Sequence, residues 1–365
     1  MNRQTQPWIF SPRLDGAFIL APALLVTASV LIFQQHVLAV NTMPPWLWGV
    51  LIIGVDVAHV YATLFRTYAD PVEWQERQAL YLTVPLLCWA GGVLLYSMEA
   101  LWFWRALAYL AAFHFVRQQY GLMMIYARHD LAPAWARQLD QSVIYAVTLY
   151  PLLYWHTHLP RAFEWFVAGD FVALAAWLHP MGLTAYLLLL LAYAGKEVWF
   201  YRQTQRFNLP KNLLLMGTAI SWLTGIVLFD NDLAFTALNV IAHGVPYMAL
   251  IWVFCRNRSQ QSGKPPLPWP QLFTRRMWPP FVVSLLLLAY FEEGLWDGLV
   301  WREHGSLFGW FHFMPRLTEP ATLAWLVPLL ALPQLTHYVL DAFIWRLQGD
   351  RNGWRSTLFG AEHER

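Results

Sequence analysis

Residues 233–255 read LAFTALNVIAHGVPYMALIWVFC, 23 consecutive positions without an Asp, Glu, Lys or Arg. At 1.5 Å per residue a helix of that length runs about 34 Å, enough to cross a hydrocarbon layer of about 30 Å. It is apolar all round, so its natural solvent is lipid or the interior of a helical bundle rather than water. Inside it Asn239, His243 and Tyr247 recur at steps of four. That spacing draws one polar line down one helix face.

Working outward, windows of roughly 20 mostly apolar residues predict nine further spans, over 17–34, 46–66, 79–97, 101–126, 139–156, 182–201, 212–229, 277–293 and 322–346. The run Phe171–Leu178 is bracketed by Asp170, His179 and Pro180. It reads as an interfacial or re-entrant piece within 162–180, outside the count. The expected fold is therefore all-α: a polytopic bundle of about ten transmembrane helices, with residues 1–365 forming a single membrane domain. The first apolar stretch reads as a retained span, because it is too long for a signal-peptide core and no small-residue cleavage site follows it.

Charge placement orients the bundle. With the N-terminus inside, cytoplasmic segments hold Arg3, Arg13, Arg66, Arg77, Arg128, Arg137, Lys196, Arg202, Arg206, Lys211, Arg256, Arg258, Lys264, Arg275, Arg276 and the C-terminal arginines. The outer side holds Arg105, Arg161, Arg302 and Arg316. This positive-inside bias predicts both termini in the cytoplasm, and counting 162–180 as a span would destroy it. The pattern suits a bacterial inner membrane. Tryptophans such as Trp46, Trp102, Trp252 and Trp345 lie near span ends, where aromatic belts form. The largest polar inserts are a Pro-rich stretch, 256–276, read as a flexible cytoplasmic linker, and an aromatic-rich stretch, 294–320, read as an outer cap.

Composition excludes several classes of function. The chain is 58% hydrophobic and 13% charged, about half the charge of a soluble domain. A dispersed net charge of +2 and the lack of a basic run with interleaved aromatics argue against nucleic acid as a partner. Cys88 and Cys255 lie in separate apolar segments and offer neither a disulfide framework nor a cysteine metal site.

Ionisable groups inside spans are costly and mark function by default. Span two carries Asp56, His59, Thr63 and Arg66; span four carries His114, Arg117, Gln118 and Gly121; span ten carries Gln334, His337 and Asp341. Together with span eight these are all even-numbered, so they run in the same direction. Their histidines sit roughly 7–14 residues from each cytoplasmic end, on the order of 10–20 Å deep. His59, His114, His243 and His337 are therefore expected to meet at one depth and hold a transition metal, iron first, with haem ligation as the alternative. Asp56 and Asp341 share faces with histidines and are expected to ligate or to act as catalytic bases. Arg66, Arg117, Gln118 and Tyr247 are expected to bind the polar end of a substrate. Other histidines fit a site less well. His156 and His158 would point to different faces, and His304 and His312 fall in the outer cap. Glu292 and Glu293 read as solvated at the outer interface.

In its chemistry this pattern is similar to that of membrane non-haem iron enzymes, whose helix-borne histidines hold iron. Their HxxxH and HxxHH boxes are absent, as are the adjacent histidine pairs of haem-copper oxidases and the HExxH, Walker A and G-x-S-x-G motifs. No family is assigned on sequence. The expected function is a metal-dependent membrane enzyme that oxidises or desaturates a lipid or isoprenoid, with membrane lipids around it and a redox partner on the cytoplasmic side. The competing readings are a haem-binding or quinol-linked electron carrier and a His/Asp proton-coupled transporter.

Overall fold

The computed structural model describes residues 6–261, 266–274, 278–345 and 354–359. It is all-helical, with 79% of the described residues in helix and no strand among them. Nine of the ten expected spans each coincide with one helix, and 322–346 falls on a bent pair. We number them α1 (Pro12–Ile32), α2 (Pro45–Arg66), α3 (Pro71–Met98), α4 (Ala100–Tyr126), α5 (Ala134–Thr157), α6 (Leu178–Thr204), α7 (Leu209–Leu228), α8 (Asp232–Ser259), α9 (Trp278–Trp296), α10 (Pro320–Leu330) and α11 (Leu332–Ile344). Among the described residues six of these, α1, α2, α3, α6, α7 and α8, are long and apolar enough to cross a membrane. The pair α10 and α11 makes a seventh if its 44° bend lies within one span. The remaining three, α4, α5 and α9, carry less uniformly apolar sequence and are not among them.

Local chemistry sets the helix ends. Ser11, Asp70, Asn208 and Glu319 each accept a backbone N–H of the first turn, and a proline follows within two residues at α1, α3, α7 and α10. There the missing N–H costs nothing. Pro333 has no N–H for the carbonyl of Leu329, which accounts for the break between α10 and α11. The π-helical stretch Gly49–Val57 widens the turns of α2 just before His59.

The chain packs as two compact units, each discontinuous in sequence. The first comprises Met1–Thr42 and Ala112–His243, the second Met43–Ala111 and Gly244–Arg365, and α4 and α8 run on from one into the other. In the first unit α7 packs on α1, where Gly217 meets Ala23 and Leu24, and α5 packs on α6. Lys196 and Lys211 are buried and paired with Asp140, Glu197 and Asp130. These five side chains form one ion lattice. Residues 158–177 are not helical; Phe163, Trp165 and Phe171 from this segment cluster round Trp155. No spanning helix forms there, in keeping with the expectation from charge.

In the second unit α3 packs on α10 and α11, and α9 packs on α2. The 256–276 region differs from the linker expected. Of its charges Lys264, Arg275 and Arg276 lie outside the described residues. The remainder is built into the fold: α8 extends to Ser259, Arg258 is buried against Asp70, and Leu267 and Phe273 are buried, with Phe273 on Phe65 and Phe281. An apolar side chain that can be covered does not stay in a solvated loop. The cap is ordered by Asp297, whose carboxylate accepts the N–H groups of Glu303 and His304 and contacts His312 at 2.6 Å. Burial alone would raise this carboxyl, but the His304 N–H, the His312 ring and the Glu303 N–H outweigh it and hold it below the usual carboxylate range. Glu292 corrects another expectation. It is buried, not solvated, at 5% exposure.

A buried four-histidine group

Two of the four span-borne histidines lie in each unit. In the first, His114 on α4 and His243 on α8 bring their Nε2 atoms to 3.1 Å. Phe115 stacks flat on the His243 ring at 3.7 Å, and the Gln118 amide donates to the His243 carbonyl at 2.9 Å. In the second, His59 on α2 and His337 on α11 cross edge to face with centroids 5.0 Å apart. The Nδ1 of His59 lies 3.2 Å from the Val55 carbonyl, and that of His337 lies 2.6 Å from the Thr63 hydroxyl. An imidazole occupied at Nδ1 offers Nε2 to a cation, and fixing the ring this way is how a carbonyl or hydroxyl orients a ligand.

His59, His114, His243 and His337 form one buried group in which a ring nitrogen from each lies within 4.8 Å of the other three. None is more than 3% exposed. Donors round one tetrahedral ion at a bond length of about 2.1 Å are about 3.4 Å apart. The group is therefore wider than a closed site, by up to about 1.4 Å, and the rings must draw in to close on an ion. It could bind a metal. Neutral imidazole donors suit zinc, copper, iron and nickel alike, so the donor set leaves the metal's identity open.

The other expected site residues are distributed unevenly around this group. Asp341 and Asp56 are not members of it. Asp341 accepts from Tyr247 at 2.7 Å and from the Trp345 indole at 3.1 Å, while Asp56 is half-buried. Tyr247 packs edge-on against His59 and His337. Arg66 is 1% exposed, paired with Glu73 at 2.7 Å and lying over the Phe254 ring. Its charge is thus already matched inside the second unit. Arg117 is exposed, bonded to the Tyr145 hydroxyl and lying over Tyr120.

Two residues the sequence reading left without a role matter here. Thr63 is the hydroxyl on His337, and its place four residues after His59 was the available signal. Gly244 lets α8 approach α2: a Cβ there would stand 2.9 Å from the Val55 carbonyl and 3.4 Å from His59 Nδ1. A glycine directly after a span-borne histidine was that signal. No family model, curated protein or solved structure matches the chain.

Proposed function

We propose that this chain is an integral membrane enzyme that uses a metal ion, iron first, held by His59, His114, His243 and His337, to oxidise or desaturate a lipid or isoprenoid. The observation that carries the reading is the convergence of four buried imidazoles from four separate helices. One such histidine is often a hydrogen-bonder between helices, but four together bring ring nitrogens close enough to share one cation. A bound iron would supply redox chemistry with O₂, and four neutral ligands would leave its charge uncompensated and a coordination position for a small ligand. His59 and His243 sit on helices of spanning apolarity, and His337 on the bent α10–α11 pair, which favours a substrate that partitions into hydrocarbon. Haem fits less well. Axial nitrogens on opposite faces of a haem iron stand about 4 Å apart, whereas the His114 and His243 Nε2 atoms are 3.1 Å apart with two further imidazoles around them.

The test is metal content. His59→Ala, His114→Ala, His243→Ala and His337→Ala should each strip most of the metal from purified protein, because the remaining donors cannot restore the lost coordination. His156→Ala, His304→Ala and His312→Ala should retain it. Full occupancy in two or more of the first four would return those histidines to hydrogen bonding.

Within the same reading we place ten spans in a bacterial inner membrane, both termini in the cytoplasm, a redox partner on that side and the 294–320 cap outside. A reporter fused after Arg365 should then be cytoplasmic and one inserted near Gly294 external. Reporters on the same side would overturn this topology.

A further inference from the structure

The second unit contains a continuous hydrogen-bonded chain that begins at a proposed ligand. His337 Nδ1 is 2.6 Å from Thr63 Oγ1, Thr63 Oγ1 is 2.8 Å from the Tyr247 hydroxyl, and that hydroxyl is 2.7 Å from Asp341 Oδ1. The Trp345 indole N–H reaches the same Oδ1 at 3.1 Å. Thr63, His337 and Tyr247 are all buried.

Proton counting gives this chain a single direction. An indole N–H can only donate, so Asp341 Oδ1 is an accepting oxygen. Tyr247 has one hydroxyl proton and gives it to Asp341. Its oxygen must then accept from Thr63. Thr63 also has one proton and has now used it, so Thr63 Oγ1 must accept from His337 Nδ1. A bare Nδ1 would bring two lone pairs to 2.6 Å in a dry interior, where an unpaired contact is most costly.

We infer that Thr63, Tyr247, Asp341 and Trp345 are positioning residues that lock His337 in its Nδ1–H tautomer and turn Nε2 toward the other imidazoles. The inference rests on the metal reading and assigns the two hydroxyls and the carboxylate to orienting a ligand rather than to touching substrate. Replacing partners of this kind lowers metal affinity about 10–100-fold.

The experiment uses the full chain in detergent with Cu(II) as probe, measuring copper affinity and the pulsed-EPR coupling of the remote imidazole nitrogens. Thr63→Val keeps the shape and removes the hydroxyl. It should weaken copper binding about 10–100-fold and alter the remote-nitrogen coupling of one imidazole. Thr63→Ser should restore both. Tyr247→Phe should alter the same coupling, because it leaves Thr63 able to point its proton at Nδ1, and it supplies the reading if the valine variant does not fold. Wild-type protein that binds copper while Thr63→Val and Tyr247→Phe match it in affinity and coupling overturns the positioning role and leaves the metal site standing. Wild-type protein that binds no copper overturns both.

Discussion

Gly244→Ala tests the packing that brings α8 against α2. A Cβ at this position would lie 2.7 Å from Val55 Cγ1 and 2.9 Å from the Val55 carbonyl oxygen, between 0.5 and 0.7 Å short of an ordinary 3.4 Å contact. The methyl can rotate away, but the carbonyl cannot, because it belongs to α2 and faces His59 Nδ1. The two helices must therefore part by about half an ångström. Overpacking of this kind costs about 1–3 kcal/mol, against about 0.5–1 kcal/mol that alanine returns over glycine in a helix interior. The net expectation is a loss of about 1–2 kcal/mol, with metal content falling as the Val55–His59 contact is disturbed. Gly121→Ala is the matched control, since a Cβ there meets nothing within 4 Å. It should gain about 0.5–1 kcal/mol. Thermal unfolding in detergent, read with metal content on the same samples, should thus shift in opposite directions for the two variants. A Gly244→Ala protein that melts at or above wild type with its metal intact would refute the close approach.

The two arginines separate in the same assays. Arg66→Ala should cost about 3–5 kcal/mol, because it strands the buried Glu73 carboxylate, so its first readout is loss of folded protein rather than weaker substrate binding; unchanged stability would return Arg66 to the substrate role. Arg117→Ala removes an exposed side chain and should stay within about 0.5 kcal/mol of wild type with full metal content, whereas metal loss would show that its bond to Tyr145 supports His114.

How much of this was legible in the sequence depends on which physical signal each feature leaves there. Helix positions were readable because a stretch in lipid must satisfy every backbone group internally, so an uncharged run such as 233–255 allows one answer. The four histidines were readable because a polar group in such a run must face the interior, and the helix direction expected from the charge pattern would put them at one depth. Partners were not readable in the same way. Arg66, also polar and interior, resembles a substrate clamp until the chain turns after Thr67 and brings Glu73 beneath it. Glu292 at the end of α9 resembles a solvated interface residue until that end is covered. The 256–276 stretch has a linker's composition, yet Leu267 and Phe273 find apolar cover. In each case the sequence shows that a side chain needs a partner, while tertiary packing decides whether the partner is protein, water or ligand. The histidine group differs from Arg66 in this respect. Glu73 neutralises Arg66, whereas the group assembled round the imidazoles contains no carboxylate. Among the described residues that difference is what supports the proposal of a cation at the histidines.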